Sequence, residues 1–372
     1  MRVARTLGRS IAAEIALYMA IGFAGFVVIM TVQNLAQRLE DLVAVGLRWD
    51  DAWGLVKALL PLVAAYSVPV GFLFGVLAAV ARMSSDSEVT AMRACGLGLG
   101  ALLAPALVFA TVVSACTALL MIRAEPAARR QMRAVLADVA SRGGILEPGR
   151  FRSIGPRVLY VQSRDRENRL SRIFVADRSD PDRPFLIFAE SGRFVFDPEQ
   201  MLIRLELEHG DVHLESRDPE QHQRIAFRRF DYTIDAVQLL DRVRDLRPRE
   251  LPFEELAKRI AKADAGPGGV DASGRDPNEY RAQYHRRLAL PFAPLIFASL
   301  GVPLGLRRTR NARSWGVLAC ALLATSYYTL LTFGEYMAES GHLPAAVALW
   351  IPNVAFAIAA LVLLRRAQRG ES

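Results

Sequence analysis

The chain has 372 residues, 52% of them hydrophobic and 23% charged, with three cysteines and a formal net charge of +8. That composition excludes a disulfide-stapled scaffold and an intrinsically disordered polymer. The charge alone invites a nucleic-acid or acidic-surface reading, so its distribution along the chain decides what it means.

In chain order, apolar runs appear near Ile15–Val32, Leu59–Ala81 and Leu97–Ile122, and again near Leu288–Leu306, Trp315–Phe333 and Ala345–Leu364. At about 1.5 Å of rise per residue, roughly 20 residues cover a hydrocarbon core, so each run predicts a membrane-crossing helix. The first run follows Arg2, Arg5 and Arg9 like a secretory leader. It is too long for a leader's apolar region, and no small-residue cleavage site precedes Gln33 and Asn34, which predicts a retained helix.

Between the second and third runs, Ser84, Ser85 or Asp86 can cap a short helix over 82–95, with Glu88 in its first turn. Two readings of that loop stand side by side. One is a capped surface helix with a solvated carboxylate. The other is a coupling helix that seats in a cytosolic partner, Glu88 facing an arginine there. Gly96, Gly98 and Gly100 miss a dinucleotide-loop spacing and follow no strand, so they are expected to serve close helix packing, as are the pairs Gly71/Gly75 and Gly301/Gly305.

After the third run, Arg123 to Ser141 has the composition of a helical connector, and the pattern then changes to period 2. Ile203, Leu205 and Leu207 alternate with charges, as do Val212 and Leu214 beyond an expected turn at Gly210. Further strands are expected at 158–162, 172–176, 185–189, 193–196 and 225–232. Seven or so short strands in roughly 90 residues predict an all-β sandwich, jelly roll or open barrel. Phe253 to Ala263 reads as an amphipathic helix, a Gly/Pro-rich loop follows from Ala265 to Pro277, and Asn278 to Arg287 leads into the fourth span. The expected fold is therefore a membrane α-helical bundle of six transmembrane helices, 3+3, with an inserted periplasmic jelly-roll-like domain. Its divisions are residues 1–122, 123–285 and 286–372.

Prolines recur inside the spans, at Pro61, Pro69, Pro105, Pro291, Pro294, Pro303 and Pro352, and each is expected to kink its helix. Ser326, Tyr327, Tyr328 and Thr329 can bond a neighbouring helix or line a cavity. Arg38, Arg286 and Arg287 fall at headgroup depth. They suit either lipid anchoring or contact with an anionic lipid's phosphates. No role is apparent for Glu335 and Glu339.

Twelve arginines fall in segments that are cytoplasmic if the N-terminus is, namely Arg2, Arg5, Arg9, Arg82, Arg93, Arg307, Arg308, Arg310, Arg313, Arg365, Arg366 and Arg369. The short loops on the other side carry few, so both termini are expected inside and the insert outside. From Arg123 to His285 there are 29 basic against 28 acidic residues. The excess charge is thus a topology signal, and a nucleic-acid partner is not expected.

Catalytic machinery is not legible. Lys57, Lys258 and Lys262 are the only lysines and none follows a glycine, so no Walker A loop can be written. His209 and His213 flank Asp211, a weak metal pattern, and neither a triad nor a carboxylate pair stands out. No catalytic residue, metal or cofactor is expected.

Three segments carry a family resemblance. DSEVTAMRACG (Asp86 to Gly96), HRRLALPFAPLIFASLGVPLGLR (His285 to Arg307) and HLPAAVALWIPN (His342 to Asn353) resemble the LptF/LptG family of lipopolysaccharide-export permeases, and the acidic DSE form leans to the LptF branch. The likeness covers essentially the whole chain. It implies an inner-membrane subunit of an ABC transporter that extracts lipopolysaccharide and passes it through the periplasmic β domain. The implied partners are a second LptF/LptG-type permease, a cytosolic LptB-like ATPase dimer, and LptC-like and LptA-like periplasmic proteins. It further implies that Glu88, with Asp86 and Arg93, couples to the ATPase, and that Arg38, by position, contacts lipid phosphate. The scarcity of lysine departs from family members with lysines around the lipid cavity and leaves arginines to that task. The rival expectation is a non-transporting membrane scaffold or envelope sensor whose β domain binds a ligand.

Overall fold

The computed structural model describes residues 2–44, 49–139, 149, 151–154, 156–165, 169–179, 184–197, 202–214, 223–235, 247–265, 276–306 and 312–369. Six helices are long and apolar enough to cross a membrane, Thr6–Asn34, Trp53–Ser85, Gly100–Val135, Pro277–Gly305, Trp315–Glu339 and Ala345–Gln368, in agreement with the six runs read from hydropathy. The chain divides into two compact units. One holds Met1–Leu35, Val56–Met132 and Arg247–Ser372, and the other Ala36–Leu55 and Arg133–Leu246.

The helical unit starts with α1 (Arg2–Ala44) and α2 (Trp49–Ser85), followed by the short α3 (Glu88–Ala94). The third span is α4 (Gly100–Leu119), a π turn over Leu120–Ala124, and α5 (Glu125–Val139), so the segment after Arg123 is helical as its composition predicts. Beyond the β domain come α6 (Phe253–Ala265), α7 (Pro277–Ala289), α8 (Ala293–Gly305), α9 (Ala312–Glu339), α10 (Ala345–Ala348) and α11 (Ile351–Gln368).

Small residues set how closely these helices approach. A Cβ on Gly75 would lie 2.7 Å from the Ile15 carbonyl oxygen, and one on Gly71 2.9 Å from the Phe23 nitrogen, so α1 rides directly on α2. Gly301 and Gly305 likewise meet Val76 and Val80 at 2.8 Å, which seats α8 against α2. Gly96, Gly98 and Gly100 behave otherwise: a Cβ there meets nothing within 4 Å, so the close-packing expectation fails for them. Gly96 sits at φ +80°, the Gly96 amide donates to Arg93 and the Leu97 amide to Met92. That is a Schellman termination of α3, in which a left-handed residue lets the chain fold back over the last carbonyls.

The prolines divide into two kinds. Pro61, Pro69, Pro105 and Pro303 lie inside continuous helices. Pro291, Pro294 and Pro352 occupy first turns, where a missing N–H costs nothing, and the first of these belongs to a 3-10 turn, Leu290–Phe292, that separates α7 from α8.

The β unit carries β1 (Phe151–Ile154), β2 (Arg157–Arg164), β3 (Arg169–Asp177), β4 (Phe185–Asp197), β5 (Leu202–Leu214) and β6 (Gln223–Asp235), paired antiparallel in chain order. The domain is all-β as expected. Its six-stranded pairing is a meander, with no crossover among the described residues. Where the sequence divides 185–196 and 203–214 into two strands each, the structure has one 13-residue strand apiece. Arg172 and His209 adopt φ of 50° and 53°, on one transverse line with Glu190 of β4 between them. At this line the in-out alternation reverses while the pairing continues. Leu207 and Val212, an odd five residues apart, are therefore both buried on the core face. Gly210 is not a turn: a Cβ there would meet the Phe188 carbonyl oxygen at 2.1 Å.

One face of this sheet forms the domain core, including Leu159, Val161, Val175, Ile187, Leu205 and Leu207. Asp177 is buried at its margin, where it accepts from Arg157 Nε at 2.9 Å, the Ser179 amide at 2.7 Å and the Tyr232 hydroxyl. Burial pushes the carboxyl up, but the bonds from Ser179, Tyr232 and Arg157 outweigh it and hold the pKa at about 2. Because the folded value lies below the unfolded one of about 3.9, this contribution is complete above pH 4 and is lost as pH falls toward 2. Asp177→Asn is expected to weaken the sheet by about 1–3 kcal/mol at neutral pH and to flatten its acid limb. Amide hydrogen exchange of β3 and β6 in the detergent-solubilised full chain, corrected for intrinsic rates, measures both.

Candidate functional site

Three features of the helical unit bear on function: a cleft, a buried polar cluster behind it, and the loop at the end of α2.

The cleft has a volume of about 950 Å³ and is walled by Phe26 and Met30 of α1, Tyr66, Ser67 and Val70 of α2, and a face of α9 that includes Tyr328 and Phe333. Thr325, Thr329, Thr332 and Tyr336 recur along α9 at spacings of four, three and four, which puts their hydroxyls on one side of the helix. The Ser67 hydroxyl is buried and has no hydrogen-bond partner among the described residues. An apolar trough with a row of hydroxyls along one wall suits an amphiphile, whose chains lie on carbon while its carbonyl or hydroxyl groups find donors and acceptors. Of the residues that the sequence places in the fifth span as polar, Thr329 faces this cleft. Tyr327 donates to Asn353 at 2.8 Å and Tyr328 to the Tyr66 carbonyl at 2.9 Å, while Ser326 bonds its own helix.

Tyr66 is both cleft wall and the near edge of the polar cluster. Its hydroxyl accepts from Arg286 of α7 and donates to Glu125 of α5 at 3.2 Å, and Arg129 donates to the same carboxylate at 2.8 Å. The π turn ends at the residue before Glu125, so the change of pitch sets the direction in which that carboxylate leaves the third span. On the far side, Glu335 of α9 accepts from Gln283 and from Arg249 at 2.9 Å, with Arg286 Nη1 at 3.5 Å. Four spans are thereby tied by one chain of charged and neutral polar groups. In a medium without water the alternative for each group is an unpaired charge, which is why such groups are found together.

Arg286 and Arg287, which the sequence offers for lipid anchoring or for contact with lipid phosphate, are both buried within the helical unit. Arg287 is 1% exposed and donates to the carbonyls of Leu251 at 2.7 Å and Arg249 at 2.9 Å, so it fastens the segment before α6 to α7. Arg286 is buried in the cluster, with Tyr66 between it and the cleft. Sequence position gives the depth of these side chains but not their direction, and here the direction is inward. Arg38 belongs to α1, but its side chain lies outside the described residues. Glu335 and Glu339, with no role apparent from sequence, are partners of Arg249 and Gln283.

At the opposite end of α2, the short helix expected over 82–95 is reduced to α3, because α2 itself runs to Ser85; Glu88 is in its first turn as expected, but none of Ser84, Ser85 or Asp86 caps it. Ser87 occupies the cap position in the left-handed region, φ 63°, without a side-chain cap bond. The Ser85 hydroxyl returns to the Arg82 carbonyl at 2.9 Å, and Asp86 accepts from Arg82 Nη1 at 2.8 Å. Arg82 also donates to Glu88 at 3.1 Å and, through Nε and Nη2, to both carboxylate oxygens of Glu14 on α1. Val89 packs inward, while Arg93 is exposed. The sequence offered one clue to this hub, the four-residue spacing of Arg82 and Asp86, and none to its link with Glu14, 68 residues away.

Comparison with known proteins agrees with this architecture. The family model for the lipopolysaccharide export system permease LptF/LptG matches residues 9–366. The lipopolysaccharide export system permease protein LptF of Escherichia coli strain K12 is 23% identical over 338 residues, covering 88% of this chain and 87% of that protein. LptF of Shigella flexneri matches to the same extent. A likeness that runs through all six spans and the inserted β domain, and includes the acidic loop after α2, places the chain in the LptF/LptG permease family.

Proposed function

We propose that the chain is the permease subunit of a lipopolysaccharide exporter, nearer LptF than LptG, working beside a second permease of the same family and powered by a separate LptB-like ATPase dimer. The family match over nearly the whole chain carries this reading. Both termini and α3 then lie in the cytoplasm of the inner membrane and the β domain lies in the periplasm, where LptC-like and LptA-like proteins receive the lipid. The cleft of α1, α2 and α9 is one wall of the lipid path, taking acyl chains on Phe26, Met30 and Phe333 and polar groups on the α9 hydroxyls.

Glu88, Asp86 and Arg93 form the ATPase-facing surface in this scheme, the first two with side chains 41% and 51% exposed. Arg38 remains the arginine proposed for lipid phosphate. ATP-driven closure of the partner moves α3, narrows the cleft and drives the lipid outward. Co-purification of the full chain with its ATPase, followed by ATP-driven lipid release from proteoliposomes, tests the scheme. Glu88→Arg is expected to reduce the bound ATPase at least tenfold, since it places like charge against the partner's basic surface. Undiminished assembly and release would remove Glu88 from the interface. A wild-type chain that carries neither lipid nor ATPase would favour a scaffold or sensor.

A further inference from the structure

Three carboxylates, Glu14, Asp86 and Glu88, converge on the single guanidinium of Arg82. The set carries two negative charges more than it can neutralise, and the partners are unequal in exposure. The Glu14 side chain is 16% exposed and meets Arg82 through two donors, whereas Asp86 and Glu88 each meet one and are more open, at 51% and 41%. A cation arriving from solvent therefore competes with Arg82 for Asp86 and Glu88, not for Glu14.

The element on which Glu14 sits packs on α2 along one side and is otherwise little covered within the chain. Only 6% of the most apolar stretch of the α1 span is buried within the chain, against 78% for α2. Ile11 is buried in the same core one turn before Ile15, and at the glycines of the two helices Ile15, Met19, Gly22 and Phe23 come closest to Gly75, Gly71 and Phe74. These lie between Glu14 on one side and Phe26 and Met30, the α1 wall of the cleft, on the other. A helix that is fastened at Glu14, packs closely on α2 just beyond it and carries a cleft wall further along can pass movement at Glu14 on to that wall.

We infer that Glu14 and Arg82 are positioning residues that convert docking at α3 into movement of α1. A basic group bound at Asp86 and Glu88 releases Arg82 from them and tightens its hold on Glu14. α1 then tilts over the Gly71 and Gly75 contacts, and the Phe26 and Met30 wall moves relative to α9. This rests on the permease reading above, and it assigns to α1 a task that the family likeness does not supply.

The test uses the full chain assembled with its ATPase in nanodiscs. Cys95 and Cys116 are first replaced by serine, and spin labels are attached at Val28 on α1 and Leu330 on α9, both exposed. Wild type is expected to change its label distance when nucleotide is trapped. In Glu14→Gln, which keeps an acceptor but not the charge, the change is expected to fall at least threefold, with lipid released per ATP falling in proportion and bound ATPase within twofold of wild type. Arg82→Gln is expected to do the same, and the double variant to be no worse than Arg82→Gln alone, as for one link. A nucleotide response in Glu14→Gln equal to that of wild type overturns the inference and leaves the permease reading intact. A wild-type complex with no ATPase, or with no nucleotide response, overturns both.

Discussion

Glu335→Ala is expected to destabilise the helical unit by about 3–5 kcal/mol, the cost of removing one partner from a buried charge network and leaving the others unpaired. The Glu335 side chain is 8% exposed and is the common acceptor for Arg249 and Gln283, with Arg286 beside it. Its loss leaves the buried Arg286 guanidinium with Tyr66 and Gln283 as its hydrogen-bond acceptors. Glu335→Gln, which keeps an oxygen acceptor, is expected to lose clearly less. Unfolding of the purified chain in mixed micelles measures both. Equal stability of the alanine variant and wild type would mean that the cluster is hydrated and its members independent.

Thr329→Trp is expected to have the largest effect on cargo, lowering the lipid that co-purifies with the chain at least tenfold. Thr329 is exposed on the α9 wall, so a large side chain there enters the cleft without displacing core residues. Thr329→Ser keeps the hydroxyl and the space and is expected to carry lipid as wild type does. Quantitative mass spectrometry of bound lipid, with the thermal midpoint as a check on folding, reads the difference. If the tryptophan variant holds as much lipid as wild type, the lipid path lies elsewhere.

What could be read from sequence follows from the range of the interactions involved. The spans are set by local composition over about 20 residues and the strands by local alternation, so all six spans and five of the six strands were legible, although β1 was not read and β4 and β5 were each read as two. The loop after α2 was legible as an acidic helix start, but its cap was not. Ser87 sits in the left-handed region between Asp86 and Glu88, both bonded to Arg82, which also bonds Glu14 in another span. The polar cluster was illegible for the same reason. Arg286 finds Tyr66 across 220 positions and Gln283 finds Glu335 across 52, and no window on the sequence contains both partners. The strand break expected at Gly210 came from reading glycine as a turn residue, whereas its smallness serves a close pass of β4 and the reversal of faces lies one residue earlier, at His209.

The π turn over Leu120–Ala124 has a bearing on how this chain tolerates change. An α-helix advances about 100° per residue, so one residue more or fewer at that point acts as a rotation of everything downstream, with little change in length. Glu125 lies immediately past it and meets Tyr66 of α2 in only one azimuth. The third span thus works like a keyed shaft, in which indels at this one site would turn the part that follows out of mesh while leaving its hydrophobicity, and any profile drawn from it, untouched.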